Sequence, residues 1–422
     1  MAGSATDISQ LRFRLKVLSR KVWVRVAAFA VLGVITATAG AALKGLIPDS
    51  LPGKIGADAI ESILQILASS MLAVTTFSLS ILTAAYANAG SSATPRATGL
   101  LVSDSVSQTV LSTFIGAFLF SLVSIILLKT GIYGSSGRLV LFAVTLLVVL
   151  VVVVSLLRWI DELGRIGLVG DTLARVAEAG AEAMAQRLKS PWMGANPLRG
   201  APPEDAVVIR SDQVGYVQHL DMARLSRLAD KTGVLVYMNA IPGDFLSPAS
   251  TVMRVQGVVA DLGSLSKEFL ACLTIRDSRD YEQDPRHGLQ VLSEIGQRAL
   301  SPAVNDPGTA ILALNHMLKI LSKWSEESLP EVEYPRIFLQ SISAAELLEE
   351  AVLPLARDGA GNFQLQRHLQ QTLLALSRIS PQVYAEAAGR TSRHALALAA
   401  EAVALKSHRA ELESISGLIV ID

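Results

Sequence analysis

The sequence predicts an α-helical membrane protein with four transmembrane helices and a cytoplasmic α+β region, in which a small β-barrel or sandwich is followed by a helical domain. Three observations carry this expectation. Four apolar stretches of spanning length stand before Arg158, and no uncharged run of that length follows. Of the 422 residues 51% are apolar and 18% charged, at a mean hydropathy of +0.43, whereas soluble domains carry roughly a quarter charged residues. Beyond residue 206 the chain changes to short strand-like runs and then to long segments with helical periodicity.

The first apolar stretch, VWVRVAAFAVLGVITATAGAA (Val22 to Ala42), follows a basic lead over residues 1–21. That lead is long and the run reaches full spanning length, which fits an uncleaved helix better than a removed signal peptide. The lead, with Arg12, Arg14, Lys16, Arg20 and Lys21, alternates basic and apolar residues. It either anchors the first helix by charge or lies along the anionic inner leaflet. The second stretch runs from Ser62 to Ala87, the third from Thr109 to Leu128, and the fourth, almost purely aliphatic, from Leu139 to Leu157. Arg158 and Arg165 follow the fourth, whereas Lys44 and Lys54 between the first two are balanced by Asp49 and Asp58. Positive charge stays inside, so the even number of helices places both termini in the cytoplasm. The membrane domain then covers 22–157.

The second stretch carries no charge yet is rich in hydroxyls. At about 100° per residue, Asp58, Glu61, Gln65, Ser69, Thr76, Ser80 and Thr83 share one arc, interrupted by Leu72 and Leu79. Ser70, Thr75 and Ser78 lie off it, where a hydroxyl can bond the carbonyl one turn back. Helix packing explains such a stripe, since small and hydroxyl residues allow close approach and cross-helix bonds contribute about 0.6–2 kcal/mol each. A water-filled path lined by symmetry-related copies explains it too, as does a carrier-like cavity. In the pore reading Gln65, Ser69, Thr76, Ser80 and Thr83 line the path, and Asp58 and Glu61 form an outer ring that concentrates cations. Gly116 makes the third helix the expected neighbour of the second. The fourth, with only Thr145 and Ser155 polar, is expected to face lipid.

A helical segment and a Gly/Pro-rich linker are expected over 158–200, a β domain over 201–277 and a helical domain over 278–422. The turns of GYV and PGDFLSPASTVMRV resemble the lipoyl/biotinyl barrel-sandwich pattern, but no exposed lysine sits in a hairpin, so no swinging-arm cofactor is expected. Asp284-Pro285 and Asp306-Pro307 each set an N-cap carboxylate before a proline at the first helical position, predicting helices over Pro285–Leu300 and Pro307–Lys323. Between them SPAVN makes an elbow. Ser301, Asn305 and Asp306 there either cap the helices or, with Arg298, contact a polar ligand or ion. The six histidines show no i,i+4 pairing, and no P-loop, GxSxG or GxGxxG is present. Neither a metal, a cofactor nor an enzymatic activity is expected. The single cysteine, Cys272, forms no intrachain disulfide and reads as a small buried residue. Lys and Arg together number 37, as do Asp and Glu, so no basic face for nucleic acid is indicated.

The blocks SSML, FSLSI, SSATPR, LVSD and LSTFIGAF, followed by GYVQHLD, PGDFLSP and DPRHGLQVLSEIGQRALSPAVNDPGTA, resemble the DUF2254 family of predicted bacterial membrane proteins. The resemblance runs from about Arg12 to His316. Ala93-Thr94 departs from it, standing where Phe-Ser is more usual. It implies an inner-membrane location and four helices, and it transfers no catalytic residues.

The expectation drawn from these residues is an oligomeric inner-membrane channel for Na⁺ or K⁺, its pore lined by the second helix and its cytoplasmic part a vestibule or gate. Partners would be inorganic cations, membrane lipid and further copies of the chain. The rivals are a membrane-anchored scaffold or envelope-stress protein and a secondary transporter, though the last usually shows repeats and broken helices.

Overall fold

A computed structural model describes residues 22–42, 57–102, 104–130, 135–258, 261–324 and 332–419. The basic lead over 1–21, the loop with Lys44, Asp49 and Lys54, and the side chain of Arg25 lie outside the described residues. The chain forms two compact units. Met1–Gly90 with Thr98–Leu168 makes the first, and Ser91–Ala97 with Val169–Asp422 the second.

The first unit holds helices α1 (Val22–Ala42), α2 (Ala57–Ser92), α3 (Pro95–Val102, whose first turn belongs to the second unit), α4 (Ser105–Lys129) and α5 (Ser135–Leu163). Among the described residues three helices are long and apolar enough to cross a membrane, over Asp58–Ser92, Ser105–Lys129 and Gly137–Leu163. The apolar run of α1, Val26–Thr36, is shorter.

The inward face of α2 follows a three-four spacing, with Ile60, Leu64, Leu67, Met71, Thr75, Ser78 and Leu82 buried. Its apolar members share one core with Val110, Phe114 and Phe120 of α4 and with Leu141, Val148, Val152 and Trp159 of α5. Half of the spanning part of α4 is buried, against 28% in each of α2 and α5. The reason is composition. Ser107, Ser112, Thr113, Gly116, Ala117, Ser121 and Ser124 are all buried on α4, and small side chains let neighbouring backbones close in. Within one chain, α2 is therefore no more interior than α5.

Gly116 marks a close approach, but its neighbour is α1 and not α2. A Cβ there would overlap the Phe29 ring, and across the same contact a Cβ on Gly33 would lie 3.3 Å from Val123 Cγ1. Spacing along α4 locates the glycine and is silent on which helix fills the notch.

The second unit opens with α6 (Val169–Lys189) and β1 (Ala195–Pro197), followed by β2 (Val207–Arg210), β3 (Gly215–Leu220) and α7 (Met222–Thr232). Then come β4 (Leu235–Met238), β5 (Phe245–Leu246), β6 (Thr251–Gln256), α8 (Leu262–Leu270) and β7 (Leu273–Arg276). The strands expected to form one small barrel or sandwich distribute over a three-stranded antiparallel sheet, β5-β3-β7, and a five-stranded sheet, β1-β8-β4-β6-β2. The latter is completed by β8 (Tyr334–Leu339), which pairs parallel to both β1 and β4. Ile337 and Leu339 of β8 alternate inward, a short period-two signal flanked by helical sequence. Cys272, beside β7, is buried and its Sγ contacts the Glu268 carbonyl at 3.5 Å. Burial pushes its thiol pKa up from 9.0 to about 11.

Helices α9 (Pro285–Leu300) and α10 (Pro307–Leu321) begin as the sequence predicts. Asp284 accepts from Arg286 N and Asp306 from Thr309 N, with proline in the first turn of each. The helices α11 (Ala344–Ala351), α12 (Leu353–Asp358), α13 (Phe363–Ile379), α14 (Pro381–Ala402) and α15 (Lys406–Gly417) follow. Where α6 crosses α9, a Cβ on Gly180 would lie 3.2 Å from Gly288 Cα. The glycine pair lets the two backbones approach, which brings Arg187 of α6 against the start of α9.

Candidate functional site

On α2 the predicted stripe is fully presented. Gln65, Ser69, Thr76, Ser80 and Thr83 are all exposed, while Thr75 and Ser78 point into the bundle. Each stripe hydroxyl donates to the carbonyl four residues back: Ser69 to Gln65 at 2.9 Å, Thr76 to Leu72 at 3.0 Å, Ser80 to Thr76 at 3.0 Å and Thr83 to Leu79 at 2.9 Å. A hydroxyl that has spent its proton on the backbone turns only lone pairs outward. The four hydroxyls thus form a row of acceptors, interrupted by exposed Leu72 and Leu79 as the sequence indicates.

At the start of α2, Asp58 is exposed. Glu61 accepts from Gln65 Nε2 at 3.0 Å and pairs with Lys129 Nζ, the last residue of α4, at 2.6 Å. Lys129 offsets one of the two carboxylates, leaving a formal charge of one negative per chain from this trio. The sequence reading missed this cation because it lies 68 positions away from Glu61.

The elbow between α9 and α10 is built by caps. Asp306 accepts from the Thr309 amide at 3.1 Å and the Thr309 hydroxyl at 2.6 Å, which hold its carboxyl below the usual range. Ser301 O accepts from Val304 N and Asn305 N, and Asn305 sits at φ +51, a left-handed conformation asparagine tolerates. Arg298 is exposed. Of these residues Asp306 has its side chain engaged in a cap, whereas Ser301 and Asn305 make the elbow through their backbones.

A different constellation, which sequence reasoning missed, lies at the start of α9. Asp284 is 1% exposed, and beyond capping the helix its Oδ2 accepts from Arg279 Nε at 2.6 Å. Arg279 Nη1 reaches Gln290 Oε1 at 2.8 Å and Glu350 Oε2 at 3.3 Å. Arg286 Nη2 donates to Asp244 Oδ1 at 2.8 Å and to the Pro242 carbonyl at 3.0 Å. Gly243, between those two acceptors, has φ +99, and a Cβ there would overlap the Asp284 carboxylate. Burial works against the charge on Arg279 and Arg286, but Asp284 with Glu350 for the first, and Asp284 with Asp244 for the second, raise both pKa values above the ordinary one. Glu294, one turn along α9 from Gln290, takes Arg96 Nη1 at 2.8 Å and Thr94 Oγ1 at 3.2 Å. The available signal was Arg286 and Ser293 recurring with Leu289 and Gly296 on the buried side of α9, polar residues at positions the helical period reserves for the core.

His287 packs on Tyr281 with ring centroids 4.5 Å apart. Burial, then Arg279, lowers its pKa below 6.5, against the pull of Asp284, Gln290 and Glu294. The fold therefore favours neutral imidazole, the unfolded chain takes the proton first, and stability is lost as the pH falls from 6.5 toward the folded value. Between pH 7 and 5.5 the thermal midpoint of His287→Gln should fall less than that of the natural chain. An equal fall in both would show that His287 does not titrate against the fold.

The model for the family described as "Predicted membrane protein (DUF2254)" matches residues 19–375, most of the chain. The chain belongs to the DUF2254 family. This DUF2254 protein is 30% identical over 135 residues to proteins of Mycobacterium bovis and Mycobacterium tuberculosis, each named only as an uncharacterized protein. The match takes in 31% of the DUF2254 chain and 26% of each relative, so the chain spans about a quarter of their length. No solved structure matches it. The family match extends through the charge cluster at the start of α9 as well as through the helices of the first unit, and it describes a predicted membrane protein without assigning a reaction.

Proposed function

We propose that the protein is an oligomeric channel of the bacterial inner membrane that passes small monovalent cations, Na⁺ or K⁺, along a path lined by α2. In this reading α1 is a fourth spanning helix, both termini are cytoplasmic, and the second unit serves as vestibule or gate. The observation that carries it is the row of outward hydroxyl lone pairs on a face of α2 that its own chain leaves uncovered. Acceptors without free donors suit cations, which shed water onto oxygen lone pairs, and they suit anions poorly. A single such face encloses nothing, so several copies about an axis are required. The net negative charge of Asp58, Glu61 and Lys129 at one end of the stripe acts in the same direction.

The test is ion flux through the purified protein in liposomes, read with Na⁺ and K⁺ gradients against a chloride gradient. Cation flux above that of empty liposomes, with little for chloride, is the expected outcome. Protein-free rates for all three ions would remove the channel reading. The helices then serve as an anchor, a second reading favoured by the charge cluster around Asp284, which needs no pore to explain it.

A further inference from the structure

A cavity of about 440 Å³ lies between the first turn of α4 and the last turns of α5, both in the first unit. Ser105, Val106 and Thr109 line it from α4, and Ser155, Arg158 and Glu162 from α5. It is level with the ends of two apolar runs, since Thr109 opens the run of α4 and Leu157 closes that of α5. In a spanning bundle that is the depth of the lipid headgroups. Arg158 is exposed and, among the described residues, makes neither a hydrogen bond nor an ion pair. Arg165, by contrast, is tied to Asp161 at 3.1 Å. Ser155 is only 9% exposed. Its hydroxyl has no partner among the described residues, unlike that of Thr145, which donates to the Leu141 carbonyl at 2.7 Å. The Ser155 oxygen keeps accessible surface, which sets it apart from the enclosed hydroxyls of Ser78 and Ser124. An occupant of the cavity therefore reaches both Arg158 and Ser155.

The positive end of α4 adds to these two donors. That helix opens with Ser105 and Val106, whose amides have no acceptor within the helix, while the Asp104 cap takes Ser107 N. A guanidinium fork matches two oxygens of a phosphate and forms charge-assisted bonds with them. Asp161 and Glu162 also line the cavity and counter Arg158 and Arg165, so two positive and two negative groups sum to zero. A second anionic group would meet those carboxylates, whereas an ammonium suits them. Toward the middle of α5, Leu147 and Val151 continue the Ser155 side at steps of four and are exposed, as contact with lipid chains requires. We propose that this cavity holds the headgroup of a zwitterionic membrane phospholipid. Its phosphodiester sits on Arg158 and Ser155, its ammonium faces Asp161 and Glu162, and its acyl chains run along Leu147 and Val151. The site requires only that the first unit spans a bilayer, and it is independent of the channel reading.

The experiment measures lipid binding to the delipidated full chain in detergent by native mass spectrometry. The probes are phosphatidylethanolamine, phosphatidylglycerol, a diacylglycerol with the same chains, and chain-free glycerophosphoethanolamine. Phosphatidylethanolamine should bind best. The diacylglycerol, which lacks the phosphate, and the soluble headgroup, which lacks the chains, should each bind about tenfold more weakly or worse. Arg158→Gln should weaken phosphatidylethanolamine about tenfold, the usual effect of losing a hydrogen bond to a charged group. Because Arg158 is exposed and unpaired, that variant should keep the lipid-free thermal midpoint. Ser105→Phe fills the cavity from an exposed position while retaining Arg158, and it should reduce binding as much. Binding that Ser105→Phe leaves intact would make Arg158 a diffuse surface charge and overturn the site. Diacylglycerol or phosphatidylglycerol bound as tightly as phosphatidylethanolamine would overturn the zwitterionic headgroup, and a soluble headgroup bound as tightly would overturn the lipid. None of these readouts measures ion flux, so the channel stands or falls separately.

Discussion

Replacing Asp284 with asparagine should destabilise the second unit by about 3–5 kcal/mol, the usual cost of removing one partner from a buried ion pair. Asparagine keeps the shape and can still accept from the Arg286 amide, so the helix cap survives. What is lost is the charge that faces Arg279 at 2.6 Å and Arg286 at 3.6 Å, two guanidinium groups about nine-tenths buried. Glu350 and Asp244 remain, but they are about a third exposed and already engaged. In a unit of this size the change should lower the thermal midpoint by roughly 10 °C. The comparison that isolates burial is Glu411→Gln, which breaks the Arg367–Glu411 pair between side chains 51% and 43% exposed. That change should cost less than about 1 kcal/mol. Gly243→Ala approaches the same cluster from the backbone and should act in the direction of Asp284→Asn. If Asp284→Asn and Glu411→Gln move the midpoint equally, the cluster does not hold the unit together.

Cation flux should fall most sharply when the acceptor row on α2 is interrupted. Thr76→Leu replaces an outward lone-pair donor with an isobutyl group on the uncovered face, which narrows and dries a path there. Ser78→Ala removes a hydroxyl that is fully buried against the bundle and makes no hydrogen bond, so flux should be nearly unchanged. Cysteine at Thr76 or Ser80 should react with water-borne thiol reagents in liposomes, and cysteine at Val74 or Ile81 should stay protected. At the end of the row, Asp58→Asn should lower cation flux and Lys129→Gln raise it. Both effects should be largest at low salt, where a charge reaches about 30 Å at 0.01 M against about 8 Å at 0.15 M. If α2 only packs against other helices, Thr76 and Ser80 cysteines stay unreactive and Thr76→Leu weakens assembly without a selective loss of flux.

Features that depend on a local period were legible in the sequence. Three of the four expected spanning runs, the face shared by Ser69, Thr76 and Ser80, and the proline-led starts of α9 and α10 all follow from spacing within one element. Features that depend on which elements meet were not. Gly116 announced a notch but could not say that Phe29 fills it. Glu61 gave no hint of Lys129, and Asp284 showed its cap without the two arginines it also holds. Strand β8 escaped because its six residues, YPRIFL, do not alternate in sequence and only Ile337 and Leu339 are buried, and its parallel partners β1 and β4 lie far away in sequence. The stripe's exposure within one chain likewise required knowing which face of α2 the core of Phe114 and Trp159 takes up.

The burial of Cys272 bears on how the chain can be handled at the bench. With its thiol at about 11 instead of 9.0, the reactive thiolate is about a hundredfold scarcer at neutral pH than at an open site. Its sulfur is also enclosed beside Glu268. No other sulfhydryl occurs in the 422 residues. The natural chain is therefore its own unlabelled background, and spin labels, fluorophores or crosslinkers can be installed one position at a time without first redesigning the packing around Phe269 and Leu273.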